Sequence, residues 1–200
     1  DIIPIKNNKV LSPFYSNDSY RLRIGELVYL GVNRTPVSSI KNRFKFKGTY
    51  RNVMRELFAN TSDVFRVTRQ LDESFDFYPA CDGKKKDVNA SQQRLARIIG
   101  LDRHDASSED WLKFANEIIK QILIEFNQNL KRVTNKNKLT LSCPLVVAGN
   151  GFFLAKEISK KTKRPFLLFS DILSEIIKIK KNQSSKINTC ASALAVSILY

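Results

Sequence analysis

The chain has 200 residues, 42% of them apolar and 26% charged, which is enough to bury a core and excludes wholesale disorder. No apolar run reaches the ~18 residues of a membrane-spanning helix, so no membrane is expected as a partner. The net charge of +15 invites anionic partners. The basic residues are nevertheless spread along the chain, and no RRM- or KH-like module accompanies them, so nucleic acid is not the expected partner.

In chain order, Ile2, Ile3 and Ile5, then Asn7-Asn8, then Val10-Leu11 read as a β-hairpin. Ser12 to Ser19 reads as a loop. Arg23 to Val32 is apolar and bounded by glycines, and reads as a strand stopped by Asn33-Arg34-Thr35-Pro36. Phe44-Lys45-Phe46-Lys47 alternates like a further strand, ended by Gly48. From Thr49 the spacing of Val53, Leu57 and Phe58 predicts a helix to Asn60. Thr61 then serves as N-cap of a second helix with Asp63 in its first turn. Leu71 to Lys86 reads as loop, and Asn89 to Gly100 as a helix with Leu95, Ile98 and Ile99 inward and Gly100 as terminator. The strongest periodicity runs from Ser108 to Arg132. There Trp111, Phe114, Ile118, Ile119, Ile122, Phe126 and Leu130 recur at three and four. The last third alternates: strand Leu139 to Ala148, turn Gly149-Asn150-Gly151, helix Phe152 to Lys161, strand Phe166 to Phe169, helix Asp171 to Lys180. That order argues for an α/β class. Thr189 to Tyr200, small and apolar on every face, reads as a buried helix.

Cys81, Cys143 and Cys190 are three, widely spaced and without a C-x-x-C pair. This argues against a structural zinc site or a disulfide scaffold and favours a reducing cytoplasm. The single histidine, His104, cannot build a multi-histidine metal site; beside Arg103 and Asp105 it reads as a surface residue.

Several segments, taken together, resemble a known family. Asp1-Ile2-Ile3-Pro4-Ile5 looks like the tail of an Asp-x-Gly-Ser-Thr-Thr-Thr-Asp-Ile-Ile-Pro motif, whose first part would lie upstream. Gly25-Glu26-Leu27-Val28-Tyr29-x-Gly31-Val32-x-Arg34-Thr35-Pro36-Val37 is followed in order by Thr61 to Arg66, Asp82-Gly83, Arg94 to Arg97, and Val146 to Leu154. The ordered set resembles the hydantoinase A-like proteins linked to the tetrahydromethanopterin one-carbon pathway. Ala80-Cys81 stands where that family more often has Thr-Ala, which would remove a hydroxyl contact.

That resemblance implies an actin-like, sugar-kinase-type (ribonuclease H-like) ATPase fold of two α/β lobes. Residues 1–200 would be its C-terminal lobe with a mainly helical insertion at about 49–132, and an N-terminal lobe would lie outside the chain. The activity it implies is methanofuran synthesis: a furanmethylamine diphosphate condenses with γ-glutamyltyramine, the phenol oxygen displacing diphosphate without use of ATP. The implied partners are thus a small-molecule diphosphate and a phenol; a homo-oligomer is compatible with the family.

On this reading Asp63 and Arg34 are the catalytic candidates, Asp63 as base for the phenol or as its orienter. Asp1, Arg94, Arg97, Gly149 and Gly151 would contact phosphate, the arginines through bidentate bonds and the glycines at a helix N-terminus. Glu26, Tyr29, Thr35, Thr61, Asp82 and Gly83 would line the substrate, and Asp1 and Asp82 would hold Mg²⁺ between phosphate oxygens. Plainer roles exist for each: Arg94 and Arg97 as a solvated helix face, Asp63 as a first-turn carboxylate, Asp82-Gly83 as a turn. Two other functions compete, an ATP-dependent hydantoinase/oxoprolinase-like hydrolase or kinase-like enzyme, and a nonenzymatic basic binding module.

Overall fold

The computed structural model describes residues 1–177 and 184–199, which divide into two compact units. The first comprises Asp1–Leu27 with Asn129–Tyr200, and the second Val28–Gln128.

The first unit opens with β1 (Ile5–Lys6) and β2 (Lys9–Val10), paired antiparallel around Asn7-Asn8. Both asparagines take positive φ, as a two-residue hairpin turn demands. Next comes α1 (Asp18–Ile24), where the sequence predicts first a loop and then a strand. Asn17 accepts a hydrogen bond from the Tyr20 amide (2.8 Å), and Gly25 closes the helix at φ 82°. N-cap and left-handed C-cap thus enclose the seven residues of α1 and fix a helix up to Ile24. The predicted strand does not form.

The second unit begins with the short α2 (Val37–Ile40), then β3 (Arg43–Phe46) and β4 (Thr49–Asn52), an antiparallel hairpin in register Phe46↔Thr49. Its turn, Lys47-Gly48, has both φ values positive. The helix predicted over Thr49 to Asn60 is therefore incorrect. β3 offers β4 a complete ladder, and Leu57, expected to face inward, is exposed. Tertiary pairing wins over a three-residue periodic coincidence. α3 (Thr61–Val67) and α4 (Val88–Ile98) follow, with the segment between them irregular except for a 3₁₀ turn at Glu73–Phe75. α3 is capped from Asn60 rather than Thr61. His104 is exposed in a second 3₁₀ turn, Arg103–Asp105.

α5 (Ser108–Lys136) runs four residues beyond the predicted end. It starts with a reciprocal cap, Asp110 N–H to Ser107 Oγ and Ser107 N–H to the Asp110 carboxylate, both at 3.1 Å. Trp111, Phe114, Ile118 and Ile122 are fully buried, as their period requires. Phe46 stacks on Trp111 with centroids 4.9 Å apart, and Phe44 and Phe46 meet Phe114 edge-on at 6.0 and 5.5 Å. This aromatic cluster is the heart of the second unit. Aromatic pairs in such geometry gain ~0.5–1.5 kcal/mol beyond their buried area.

Back in the first unit, β5 (Leu145–Val147) and β6 (Phe166–Leu168) pair in parallel across α6 (Phe152–Thr162), and α7 (Phe169–Ile176) follows directly. The predicted strand from Leu139 shrinks to three residues. One reason is Arg164, buried, whose guanidinium donates to the Thr140 and Cys143 carbonyls and holds that stretch as irregular coil. α8 (Ser184–Thr189) and α9 (Ala191–Leu199) complete the unit. The predicted helix over Asp171 to Lys180 falls outside the described residues at 178–180, as does Tyr200. No helix among the described residues is long and apolar enough to cross a membrane.

Candidate functional site

The second unit buries an ionic cluster where α3 packs on α4. Val64, Phe65, Leu95, Ala96 and Ile98 form the dry contact between these helices. Beside them, on the same helix faces, the chain places Asp63, Arg66, Ser91 and Arg94. Charge at such depth is tolerated only when each member finds its partners, and here each does.

Asp63, 1% exposed, is the hub. One carboxylate oxygen accepts from Arg94 Nε at 2.8 Å and from Ser91 Oγ at 2.7 Å, with Arg94 Nη2 in ion-pair contact at 2.7 Å. Arg66 Nη1 lies 3.5 Å from the same oxygen. The other oxygen accepts from the Asn60 amide at 3.3 Å, where a first-turn carboxylate completes the helix cap. Ser91 joins the two arginines, accepting from Arg66 Nη1 and Arg94 Nη2 at 3.2 Å each.

Arg66 turns its remaining donors toward the segment 73–76. Nε and Nη2 straddle the Glu73 carboxylate at 2.8 and 3.1 Å, and Nη2 also donates to buried Asp76. Lys86 adds a second cation to Asp76 (3.3 Å) and donates to the Tyr78 carbonyl (3.1 Å). The irregular segment between α3 and α4 is therefore pinned by charge rather than by apolar packing.

Arg94, 2% exposed, directs its last donor outward, Nη1 to the Asp82 carboxylate at 3.1 Å and to the Lys85 carbonyl at 3.2 Å. Burial opposes its charge, but the hydrogen bonds and charge of Asp63, then Asp82, outweigh that and hold its pKa above the ordinary arginine value. Cys81, half-buried beside this group, has its thiol pKa raised by burial first and by the Asp63 charge second, Arg94 offsetting part of the rise.

The other predicted residues divide. Arg97, three positions from Arg94, faces water and pairs with Asp102 at 2.8 Å. Arg34 is exposed, its guanidinium 4.8 Å from the centroid of the Tyr78 ring. The neighbouring Asn33 donates to the Phe75 carbonyl at 3.0 Å, so the 28–36 segment is tied to 75–78. Thr35 and Thr61 use their hydroxyls on backbone: Thr35 Oγ1 accepts from the Gly31 amide (2.8 Å), and Thr61 Oγ1 donates to the Gly31 carbonyl (2.7 Å). Tyr29 is 79% exposed at φ 57°, a conformation rarely adopted by an aromatic residue. Gly83 takes φ 66° in the turn whose Asp82 carboxylate accepts the Lys84 amide at 3.1 Å. Thr61, Asp63, Asp82 and Arg94 are thus gathered in or beside one cluster, whereas Arg97 points away from it.

Asp1, Glu26, Gly149 and Gly151 belong to the first unit. Asp1 pairs with Arg21 at 2.9 Å, and Glu26 is buried. Gly149, at φ 90°, donates its amide to the Asn188 carbonyl, and Gly151 is the N-cap of α6.

Magnesium does not find a ready site in these carboxylates. Asp1 and Asp82 are each engaged by an arginine. Among the described residues no group of three or more His, Cys, Asp or Glu is placed to hold a metal.

Arg66, Ser91, Asp76 and Lys86 are members of the cluster to which the sequence alone assigns no role. Arg66 and Ser91 each sit in an i, i+3 pair, Asp63 with Arg66 and Ser91 with Arg94, an ordinary helix-surface spacing, and Arg66 also ends the Thr61 to Arg66 motif; Asp76 and Lys86 lie in the stretch read as loop.

No protein-family model matches the chain. Curated relatives align along all of it. A protein of Methanocaldococcus jannaschii is 30% identical over 201 residues, and the chain spans 55% of its length. A protein of Methanococcus vannielii is 31% identical over 200 residues, with 85% of its length covered. Both are named (4-{4-[2-(gamma-L-glutamylamino)ethyl]phenoxymethyl}furan-2-yl)methanamine synthase.

Proposed function

The chain belongs to the family of (4-{4-[2-(gamma-L-glutamylamino)ethyl]phenoxymethyl}furan-2-yl)methanamine synthases, and on that premise we propose that the whole protein makes the ether bond of such a product in methanofuran biosynthesis. The phenol oxygen of a γ-glutamyltyramine-like substrate attacks the methylene carbon of a furanmethylamine diphosphate. One carbon–oxygen bond forms, the carbon–oxygen bond to diphosphate breaks, and the phenol proton leaves with the released diphosphate. No ATP is spent. The actin-like lobe remains our reading of the fold; a parallel β5–α6–β6 unit with a glycine turn after β5 is in keeping with it.

The observation that carries this reading is the Asp63–Arg94 pair. A leaving diphosphate gains negative charge as its bond breaks, and fixed positive donors lower that barrier most. Arg94 is such a donor, buried and rigid, with one edge reaching the Asp82 turn. Asp63 has both oxygens committed and no path to water, so we assign it the orienting of Arg94 rather than acceptance of the phenol proton. Exposed Arg34, set on Tyr78, supplies a second guanidinium within the same unit. The carboxylates Asp1 and Asp82 are each taken by an arginine rather than left open to a magnesium ion.

The test uses the full protein with γ-glutamyltyramine, the furanmethylamine diphosphate, and ATP present or absent. Ether and free diphosphate appearing without ATP, by mass spectrometry, are the expected products. Absence of ether together with ATP-dependent opening of a cyclic amide would replace this reading with the hydrolase.

A further inference from the structure

Arg94 has no donor to spare. Its Nε and Nη2 are held by Asp63 and Ser91 behind it, and its Nη1 by Asp82 and the Lys85 carbonyl in front. An arginine so saturated can accept an external anion only by exchange, and its carboxylate partners are unequal. Asp63 is shut off from water and takes Arg94, Ser91 and a backbone amide, so expelling it would strand a buried charge. Asp82 is 35% exposed in its side chain. Besides Arg94 it takes, among the described residues, only the Lys84 amide, and it stands on a glycine turn beside a shallow depression of about 630 Å³ lined by Gly83, Lys84, Lys85, Asp87, Asn89 and Ala90.

We propose that the Asp82 carboxylate is an internal stand-in for phosphate, closing the outer edge of Arg94 until a diphosphate displaces it. Carboxylate and phosphate oxygens are equivalent acceptors for a guanidinium. Once displaced, Asp82 moves into water, where its charge costs little, while Lys84 and Lys85 flank the incoming anion. The exchange makes binding weaker than Arg94 alone would give, because each anion must first break the Arg94–Asp82 pair. It also keeps a buried arginine neutralised whenever the site is empty of substrate. This rests on the reading of Arg94 as the phosphate contact, and it assigns Asp82 a role opposite in sign to that of a metal ligand.

Calorimetric titration of the full protein with inorganic pyrophosphate, without magnesium, tests the exchange apart from turnover. Asp82→Asn should bind pyrophosphate about fivefold more tightly, the worth of a partly exposed ion pair. Asp82→Glu, which restores the charge, should return toward the original affinity. Asp102→Asn, which frees exposed Arg97 instead, controls for the loss of one negative charge and should change affinity less than twofold. Unchanged or weaker binding by Asp82→Asn, equal tightening by Asp102→Asn, or no pyrophosphate binding by any variant would each overturn the proposal. Tighter binding by Asp82→Asn in a protein that forms no ether would leave the exchange standing and remove the synthase reading.

Discussion

At Asp63 a single carboxylate caps α3, neutralises Arg94 and approaches Arg66. Removing its charge leaves two buried guanidiniums facing an amide. Asp63→Asn should therefore cost about 3–5 kcal/mol of stability, read as a fall in denaturant midpoint at constant slope. Asp102→Asn, at the exposed Arg97 pair, should cost less than about 1 kcal/mol. Similar losses at both sites would mean that burial does not set the energy of the cluster. Cys81 reports on the same place. Burial and the Asp63 charge raise its thiol pKa, and the thiolate is the reactive form. Iodoacetamide at neutral pH should therefore label exposed Cys190 before Cys81, as followed by peptide mass spectrometry; faster labelling at Cys81 would contradict a turn closed on Arg94.

Among the elements, α4 teaches most about the limits of spacing. Arg94 and Arg97 lie three residues apart on one helix, yet one is buried and the other faces water. The difference is the position of α3, which covers the face bearing Ser91, Arg94, Leu95 and Ile98. α5 offers a test through pH. Glu125 has its carboxyl pKa raised by burial. A carboxyl with a raised folded-state pKa gives full stability below its unfolded value and loses it as pH rises through the folded one. Glu125→Gln should thus match the parent in acid and exceed it in melting temperature near neutrality, and a parallel offset at every pH would refute that. In α1 the C-cap is the fixed point. Gly25 holds φ 82°, and a Cβ there would stand 2.6 Å from Asn129 Oδ1. Gly25→Ala should cost more than about 1 kcal/mol, measured by the loss of melting temperature.

For the whole molecule, the net charge of +15 sets a field that concentrates small anions near the surface. Pyrophosphate affinity should fall as salt rises from about 0.05 to 0.5 M, since exposed charges more than a few ångströms apart are then screened. The ratio between Asp82→Asn and the parent should change much less, because it reports one contact pair at 3.1 Å. A ratio that collapses with salt would place the effect of Asp82 in the general field instead of at Arg94.

What the sequence determines by itself is what depends on neighbours a few residues away. The α5 stripe from Trp111 to Leu130, the Asn7-Asn8 turn, α4 and the order β5–α6–β6 follow from period, caps and turn residues. The ordered motifs also carry the family. Residues 49–60 read wrongly because β3 supplies a partner strand, and residues 18–24 because Asn17 and Gly25 cap a helix there. The candidate site is legible only in part. Asp63, Asp82 and Arg94 are named from motif order, but the separation of Arg94 from Arg97, and the entry of Arg66, Ser91, Asp76 and Lys86, come from the packing of α3 on α4. Burial decides which charges must find partners, and burial is a property of what lies across the interface, which no local spacing encodes.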